Sequence, residues 1–381
     1  MLPPPPPGDA SPSPTSRPRW RRRVILGTGV VLIAAVIAAL LGFGYAEYRL
    51  GQIHRVSVGA LRGTGSGGAE TILVVGSDSR AGNTGADATH FGSSQAVTGQ
   101  RSDTIILVRL DAHTRTASLM SVPRDLWVTI PGTSTKQRIN TTFDKSPDLL
   151  VRAIQESVGI PVDHFAEVDF QSFRQVVNAV GGVKIYFPTP ARDTYSGLNI
   201  TTPGCYGMSG DMALSFVRAR HYQYQVGRRW LSEPESDLAR IRRQQLFVRK
   251  MLTTAKATGP LDLPRINRIV GGVAKNLTVD TRFSQGRMLA LARTFRGLTP
   301  DQMPTITLPT TPAVISGNDV LVLRQPEARA AIDAFLNPAP APAPAASASP
   351  APAAPASSAS AAPSPAASYP LPGLTGSLPP C

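Results

Sequence analysis

Residues 24–46, VILGTGVVLIAAVIAALLGFGYA, run for 23 positions without a charged side chain. At about 1.5 Å per helical residue such a run reaches roughly 34 Å, enough to cross a hydrocarbon core of about 30 Å. It is longer than the apolar part of a cleaved signal peptide, typically about 7–15 residues. The Gly44-Tyr45-Ala46 end is also a weak cleavage signal, so the run reads as an uncleaved membrane helix. Arg17, Arg19, Arg21, Arg22 and Arg23 crowd its N-terminal side, and Glu47 and Arg49 follow it. Cytoplasmic flanks carry the excess of Lys and Arg. The expected topology is a single-pass anchor with a cytoplasmic N-terminus and everything after residue 46 extracytoplasmic.

The anchor divides the chain. Residues 1–23, with Pro at every position from Pro3 to Pro7, cannot build a core and read as a disordered cytoplasmic tail. Residues 47–68 form a linker, Gly-rich at its end. Residues 69–337 read as one folded ectodomain. Residues 338–381 are Pro, Ala and Ser without a single charge, expected to be an extended spacer. The chain's net charge is +14, and the first tail holds five Arg and one Asp, so +10 falls on the later residues. A basic folded surface seeks acidic partners. The topology excludes nucleic acid and leaves anionic lipid or phosphorylated substrates. Two cysteines, Cys205 and Cys381, cannot staple 381 residues, so burial carries stability. An oxidising exterior permits a bridge between them, which the sequence does not decide.

Within the ectodomain, TILVVG (71–76) is a short apolar run expected to be a buried strand. DTIILVRLD (103–111) and TRTASLMSV (114–122) suit a hairpin, and LWVTI (126–130) a further strand. SPDLLVRAIQESVG (146–159) has helical spacing, with Ser146 as N-cap and Gly159 as stop. HFAEVDF (164–170) is expected as a strand, QSFRQVVNAVGG (171–182) as a helix and VKIYF (183–187) as a strand. SGDMALSFVRAR (209–220) and residues 235–259 are expected as helices, with a strand near TITL (305–308). Interleaved strands and helices predict an α/β fold, a mixed central β-sheet covered by helices on both faces.

Nucleotide-binding glycine motifs, the nucleophile elbow G-x-S-x-G and H-E-x-x-H are absent, and the five histidines show no ligand spacing. What the sequence offers is arginine beside carboxylate at the ends of elements. Asp78 and Arg80 lie in the turn after the first strand. Arg101 and Asp103, two apart, share a face where the second strand begins. Arg124 and Asp125 follow the third strand, and Arg218 and Arg220 close a helix. Asp237, Arg240 and Gln244 fall on one helical stripe. Arg242, Arg243, Arg249 and Lys250 read as surface charges, with Arg243 the borderline case. Planar guanidinium groups bind phosphate oxygens in pairs and stay charged at any relevant pH. Phosphoryl transfer is catalysed chiefly by positioning and charge neutralisation. A pair of carboxylates can hold Mg²⁺ against a diphosphate or accept a proton from an attacking hydroxyl.

The order ILVVGSDSR, RSDTIILVRLD, ASLMSVPRDLWVTIPG, RINTTF, VDHFAEVDFQSFRQVVNAVGGVKI, SGDMALSFVRARH and SDLARIRRQQ resembles the LytR–CpsA–Psr family over about residues 69–257. The insertion YQYQVGRRWLSEPES between the two arginine motifs resembles actinobacterial members. The resemblance implies a transferase that moves a glycopolymer from a polyprenyl diphosphate carrier to peptidoglycan through a phosphodiester, with Mg²⁺ as cofactor and an apolar pocket for the prenyl chain. Carried over by position, metal and acid–base work fall on Asp78 and Asp103, and catalysis also on Arg124. The diphosphate falls to Arg80, Arg101, Arg124, Arg218, Arg220, Arg240 and Gln244, with Asp237 orienting Arg240. Two departures stand out: Arg138 replaces the frequent Lys before Ile139-Asn140, and 24 residues separate Asp78 from Asp103. A polyprenyl diphosphate hydrolase would use the same residues with water as acceptor. A non-catalytic protein could tether anionic wall polymer by charge alone. A transcriptional regulator conflicts with the topology.

Overall fold

In the computed structural model of the chain, the residues described are 51–63, 68–77, 102–234, 236–257, 271, 277–299, 302–338 and 381. They belong to the compact unit Arg49–Cys381. The anchor expected at 24–46 and the cytoplasmic tail lie outside them, as does nearly all of the spacer. Among the described residues no helix is long and apolar enough to cross a membrane.

Seven strands form the central sheet: β1 (His54–Val56), β2 (Ala69–Ser77), β3 (Ser102–Asp111), β4 (Thr116–Val122), β5 (His164–Val168), β6 (Thr278–Asp280) and β7 (Thr305–Thr307). Their order is β1-β6-β5-β2-β3-β4-β7. β3 lies between β2 and β4 and is antiparallel to both. β5 joins β2 in parallel and β7 joins β4 in parallel, so the sheet is mixed as the sequence predicts. Apolar residues on consecutive positions of β2 serve two cores, because side chains alternate across a strand. Leu73 and Val75 pack with Phe143, Leu150, Ile154 and Phe335. Those partners lie on the helices α1 (Asn140–Lys145), α2 (Pro147–Ser157) and α7 (Glu327–Leu336). Ile72 faces the other way, into a cluster with Leu291 of α6 (Gln285–Thr294), so helices cover both faces.

Local chemistry sets the helix starts. Ser146 accepts a hydrogen bond from the Leu149 amide at 3.1 Å ahead of Pro147, capping α2 as expected. At β5 the strand expected through residue 170 stops earlier. Asp169 turns out to be the cap of α3 (Phe170–Val180), accepting from the Ser172 amide at 2.7 Å. The helix ends at Gly181, whose φ of 91° suits glycine. α4 (Gly210–Arg218) begins so close to α3 that a Cβ on Gly210 would sit 2.7 Å from the Arg174 Cα. α5 (Ser236–Lys256) is the long helix, and it ends at Lys256, short of the expected residue 259.

Several short elements lie beyond the expected ones. His54–Val56 and Thr278–Asp280 complete the sheet edge. A small sheet joins Ala191–Asp193, Leu198–Ile200, Gln223–Val226 and Arg229–Ser232, and Thr310–Ile315 pairs with Asn318–Leu323. Asp280 ties the edge together, accepting from the Phe165 amide at 3.0 Å and lying 3.2 Å from His164 Nδ1. Cys205 and Cys381 are bonded, with Cα atoms 5.8 Å apart.

Candidate active site

Helices α3, α4 and α5 enclose a cavity of about 600 Å³ against the sheet. Its wall is apolar, built from Phe170, Phe173, Val177, Leu214, Val217 and Phe247, with Val74 and Ile106 from the sheet face. Helical spacing explains the set: Phe170, Phe173 and Val177 are three and four apart and form one stripe of α3. Arg124, Arg218, Arg220, Arg240 and Gln244 line the same cavity. All five expected diphosphate ligands within the described residues therefore converge on one cavity, although they come from three separate stretches of chain.

A single carboxylate oxygen organises three of these cations. Asp237 Oδ1 lies 2.8 Å from Arg240 Nη2, 3.8 Å from Arg124 Nε and 3.9 Å from Arg220 Nε. The spacing within α5 indicated only the Arg240 contact. Arg124 is further braced by Asp125 at 3.3 Å. The Arg218 guanidinium sits 4.3 Å from the centroid of the Phe170 ring, a cation–π contact that joins cationic mouth to apolar wall. Gln244 donates to Thr104 Oγ1 at 3.0 Å and to the Val217 carbonyl at 3.2 Å, fastening α5 to the start of β3 and the end of α4. Four guanidiniums, those of Arg124, Arg218, Arg220 and Arg240, line this one cavity, a set that suits a multivalent anion.

Asp78, Arg80 and Arg101 lie outside the described residues. The backbone of Asp103 is in β3, and its side chain is likewise outside them. The ladder nevertheless marks this place. Gly76 pairs with Thr104 and Ser77 with Ser102, so Asp103 is the extra residue of a β-bulge. Bulges redirect a side chain at a strand end, and both Gly76 and Thr104 line the cavity. This end of the β2–β3 ladder thus borders the cavity that the arginines line. Glu167, in register with Val75, has its carboxyl pushed up chiefly by burial, with a Ser77 hydrogen bond opposing the shift.

The described carboxylates of the cavity do not fit a divalent cation. Asp237 is engaged by three guanidiniums, and Asp169 caps α3. Among the described residues no group of three or more His, Cys, Asp or Glu could hold a metal ion.

Arg243 departs from the surface reading. It is fully buried, paired with Glu233 and donating to the Ala219 carbonyl, with its guanidinium 4.7 Å from the Tyr222 ring centroid. On α5 it falls on the face turned toward the segment 218–222, so it fixes the backbone between Arg218 and Arg220. Arg249 also turns inward, its Nη2 donating to Thr305 Oγ1 at 2.8 Å. Tyr195, Ser196 and His221 line the cavity as well; Tyr195 and Ser196 carry no motif signal in the sequence, whereas His221 closes the motif SGDMALSFVRARH.

The probable cell wall biosynthesis protein LcpB of Corynebacterium glutamicum is 30% identical over 260 residues, covering 66% of this chain and 58% of its own length. The polyisoprenyl-teichoic acid–peptidoglycan teichoic acid transferase TagT of Bacillus subtilis is 28% identical over 216 residues, 55% of this chain and 59% of that protein. The chain thus spans under two thirds of the length of these relatives. A LytR-Csp2A-Psr enzyme from Actinomyces oris superposes with a TM-score of 0.59 at 25% identity, covering 74% of this chain and 95% of the other. The family profile matches residues 49–335, and the chain belongs to the LytR_cpsA_psr family.

Proposed function

We propose that this protein transfers a glycopolymer from a polyprenyl diphosphate carrier to peptidoglycan at the outer face of the cell membrane. One observation carries the reading: Arg124, Arg220 and Arg240 gather around Asp237 at an apolar cavity of about 600 Å³. A cationic cluster joined to a greasy cavity is complementary to a molecule with an anionic head and a hydrocarbon tail. TagT, whose name states a polyisoprenyl-linked donor and a peptidoglycan acceptor, supports the same class.

In this reading the arginines neutralise the diphosphate and hold its phosphorus in line with an acceptor hydroxyl. The hydroxyl oxygen bonds to the sugar-side phosphorus, the bridging P–O bond breaks, and polyprenyl phosphate departs with that electron pair. Asp103 or Asp78 takes the hydroxyl proton. We also assign Mg²⁺ to Asp78 and Asp103, where it would supply further neutralisation of the diphosphate. An extracytoplasmic location is supported by the bonded pair Cys205 and Cys381, since such bonds persist in oxidising compartments.

The test is mass spectrometry of lipid that co-purifies with the full chain. A polyprenyl diphosphate bearing a saccharide is the expected ligand; recovery of bulk phospholipid alone would contradict the assignment. Incubation with peptidoglycan then separates transferase from hydrolase by whether the glycan ends on the wall or free in solution.

A further inference from the structure

Tyr195 is 79% exposed. It stands on a turn between the strands Ala191–Asp193 and Leu198–Ile200. Large aromatic side chains normally bury most of their surface, and an exposed one is usually mobile. This one sits on a fixed base. The buried carboxylate of Asp193 accepts from the Tyr195 amide at 2.9 Å, the Ser196 amide at 3.1 Å and the His221 amide at 2.8 Å. One acid therefore locks two loops, and the second loop is the one that carries Arg220 immediately before His221. The rings of Tyr195 and His221 lie 4.2 Å apart between centroids at 53°, an open wedge instead of a closed stack.

Ser196 supplies an independent sign. Its side chain is nine-tenths buried and lines the cavity, and its Oγ has no hydrogen-bond partner. A buried hydroxyl left unpaired is costly. A prenyl tail offers it no partner, whereas a ligand hydroxyl or amide does once the side chain turns about χ1 toward the cavity. Aromatic faces complement the C–H face of a sugar ring, and a rigid platform loses little conformational entropy on binding.

We propose that Tyr195, Ser196 and His221 form a saccharide subsite that holds a pyranose ring next to the diphosphate. Tyr195 and His221 cradle the apolar face of the ring, and Ser196 hydrogen-bonds one of its polar substituents. The ring is either the first sugar of the donor or the acceptor sugar of peptidoglycan. The assignment rests on the diphosphate reading above and deepens it. Tyr195 and Ser196 then select the sugar, while the arginines recognise the charge common to every such donor.

Binding to the full chain in detergent should be measured with three probes: farnesyl diphosphate, farnesyl diphosphate bearing N-acetylglucosamine, and a soluble peptidoglycan disaccharide-peptide. Tyr195→Ala should bind farnesyl diphosphate as the wild type does and lose about tenfold for one sugar-bearing probe, the loss typical of one aromatic contact. Tyr195→Phe should restore it, because the ring and not the hydroxyl does the work. The probe that loses affinity identifies the ring as donor or acceptor. Unchanged binding of both sugar-bearing probes to Tyr195→Ala overturns the subsite, as does an equal loss for farnesyl diphosphate. A wild type that ignores farnesyl diphosphate contradicts the diphosphate reading. The subsite is then judged on the disaccharide-peptide alone, where an unchanged Tyr195→Ala again overturns it.

Discussion

Asp237 and Arg124, 113 positions apart in the chain, face each other at 3.8 Å, with Arg240 bound to the same carboxylate oxygen at 2.8 Å and Arg220 at 3.9 Å. The acid holds like charges together that would otherwise repel. Asp237→Asn keeps the shape and removes the charge. Transfer activity should fall by about tenfold or more through weaker donor binding, with the thermal midpoint shifted by only a few degrees. Donor titration against thermal melting separates the two effects.

The apolar cavity is expected to take the tail of the donor. Val176 lines it and is only half-buried, so Val176→Trp adds bulk without the full overpacking cost of a core site, about 1–3 kcal/mol. The variant should lose affinity for long-chain polyprenyl diphosphates and keep it for inorganic diphosphate. A parallel pair of titrations reads this directly.

Arg243 supports the site from beneath. Arg243→Ala leaves Glu233 as an uncompensated buried charge and frees the Ala219 carbonyl. Breaking such a pair costs about 3–5 kcal/mol. Denaturant melts should register that loss. Arg243→Ala combined with Glu233→Gln should recover part of it, because the orphaned charge is gone.

Glu167 gives a pH signature. Its folded carboxyl has a raised pKa, chiefly from burial, so the fold prefers the protonated form. That preference is fully present below the unfolded value, near 4.3, and is lost as pH rises through the folded value. Glu167→Gln should therefore be more stable than the wild type at neutral pH and equal to it in acid. Thermal melts across the acid range give the comparison.

Much of this was legible from residue order. The apolar runs TILVVG and DTIILVRLD mark the central pair of strands, and Ser146 with Pro147 marks the start of α2. Arg124, Arg218 and Arg220 were visible as charge at element ends, Arg240 and Gln244 as one helical stripe, and the structure brings all five to one cavity. Other features depend on distant partners. His54–Val56 and Thr278–Asp280 are three residues long; the first pairs with the second, and the second with β5. Arg243 looks like its basic neighbours until Glu233 and Tyr222 close over it. Tyr195 and His221 lie 26 positions apart and meet only through the buried carboxylate of Asp193. The bulge at Asp103 is a property of the ladder, not of either strand alone.

The central claim is that this guanidinium cluster acts on a lipid diphosphate to build a wall linkage. The most direct measurement is transfer of labelled glycan from a polyprenyl diphosphate donor to peptidoglycan by the wild type, Arg124→Ala and Arg240→Ala, each checked for folding by its melt. Robust transfer by the wild type and a near-complete loss in both folded variants is the predicted result. Undiminished transfer by the two variants would contradict the account.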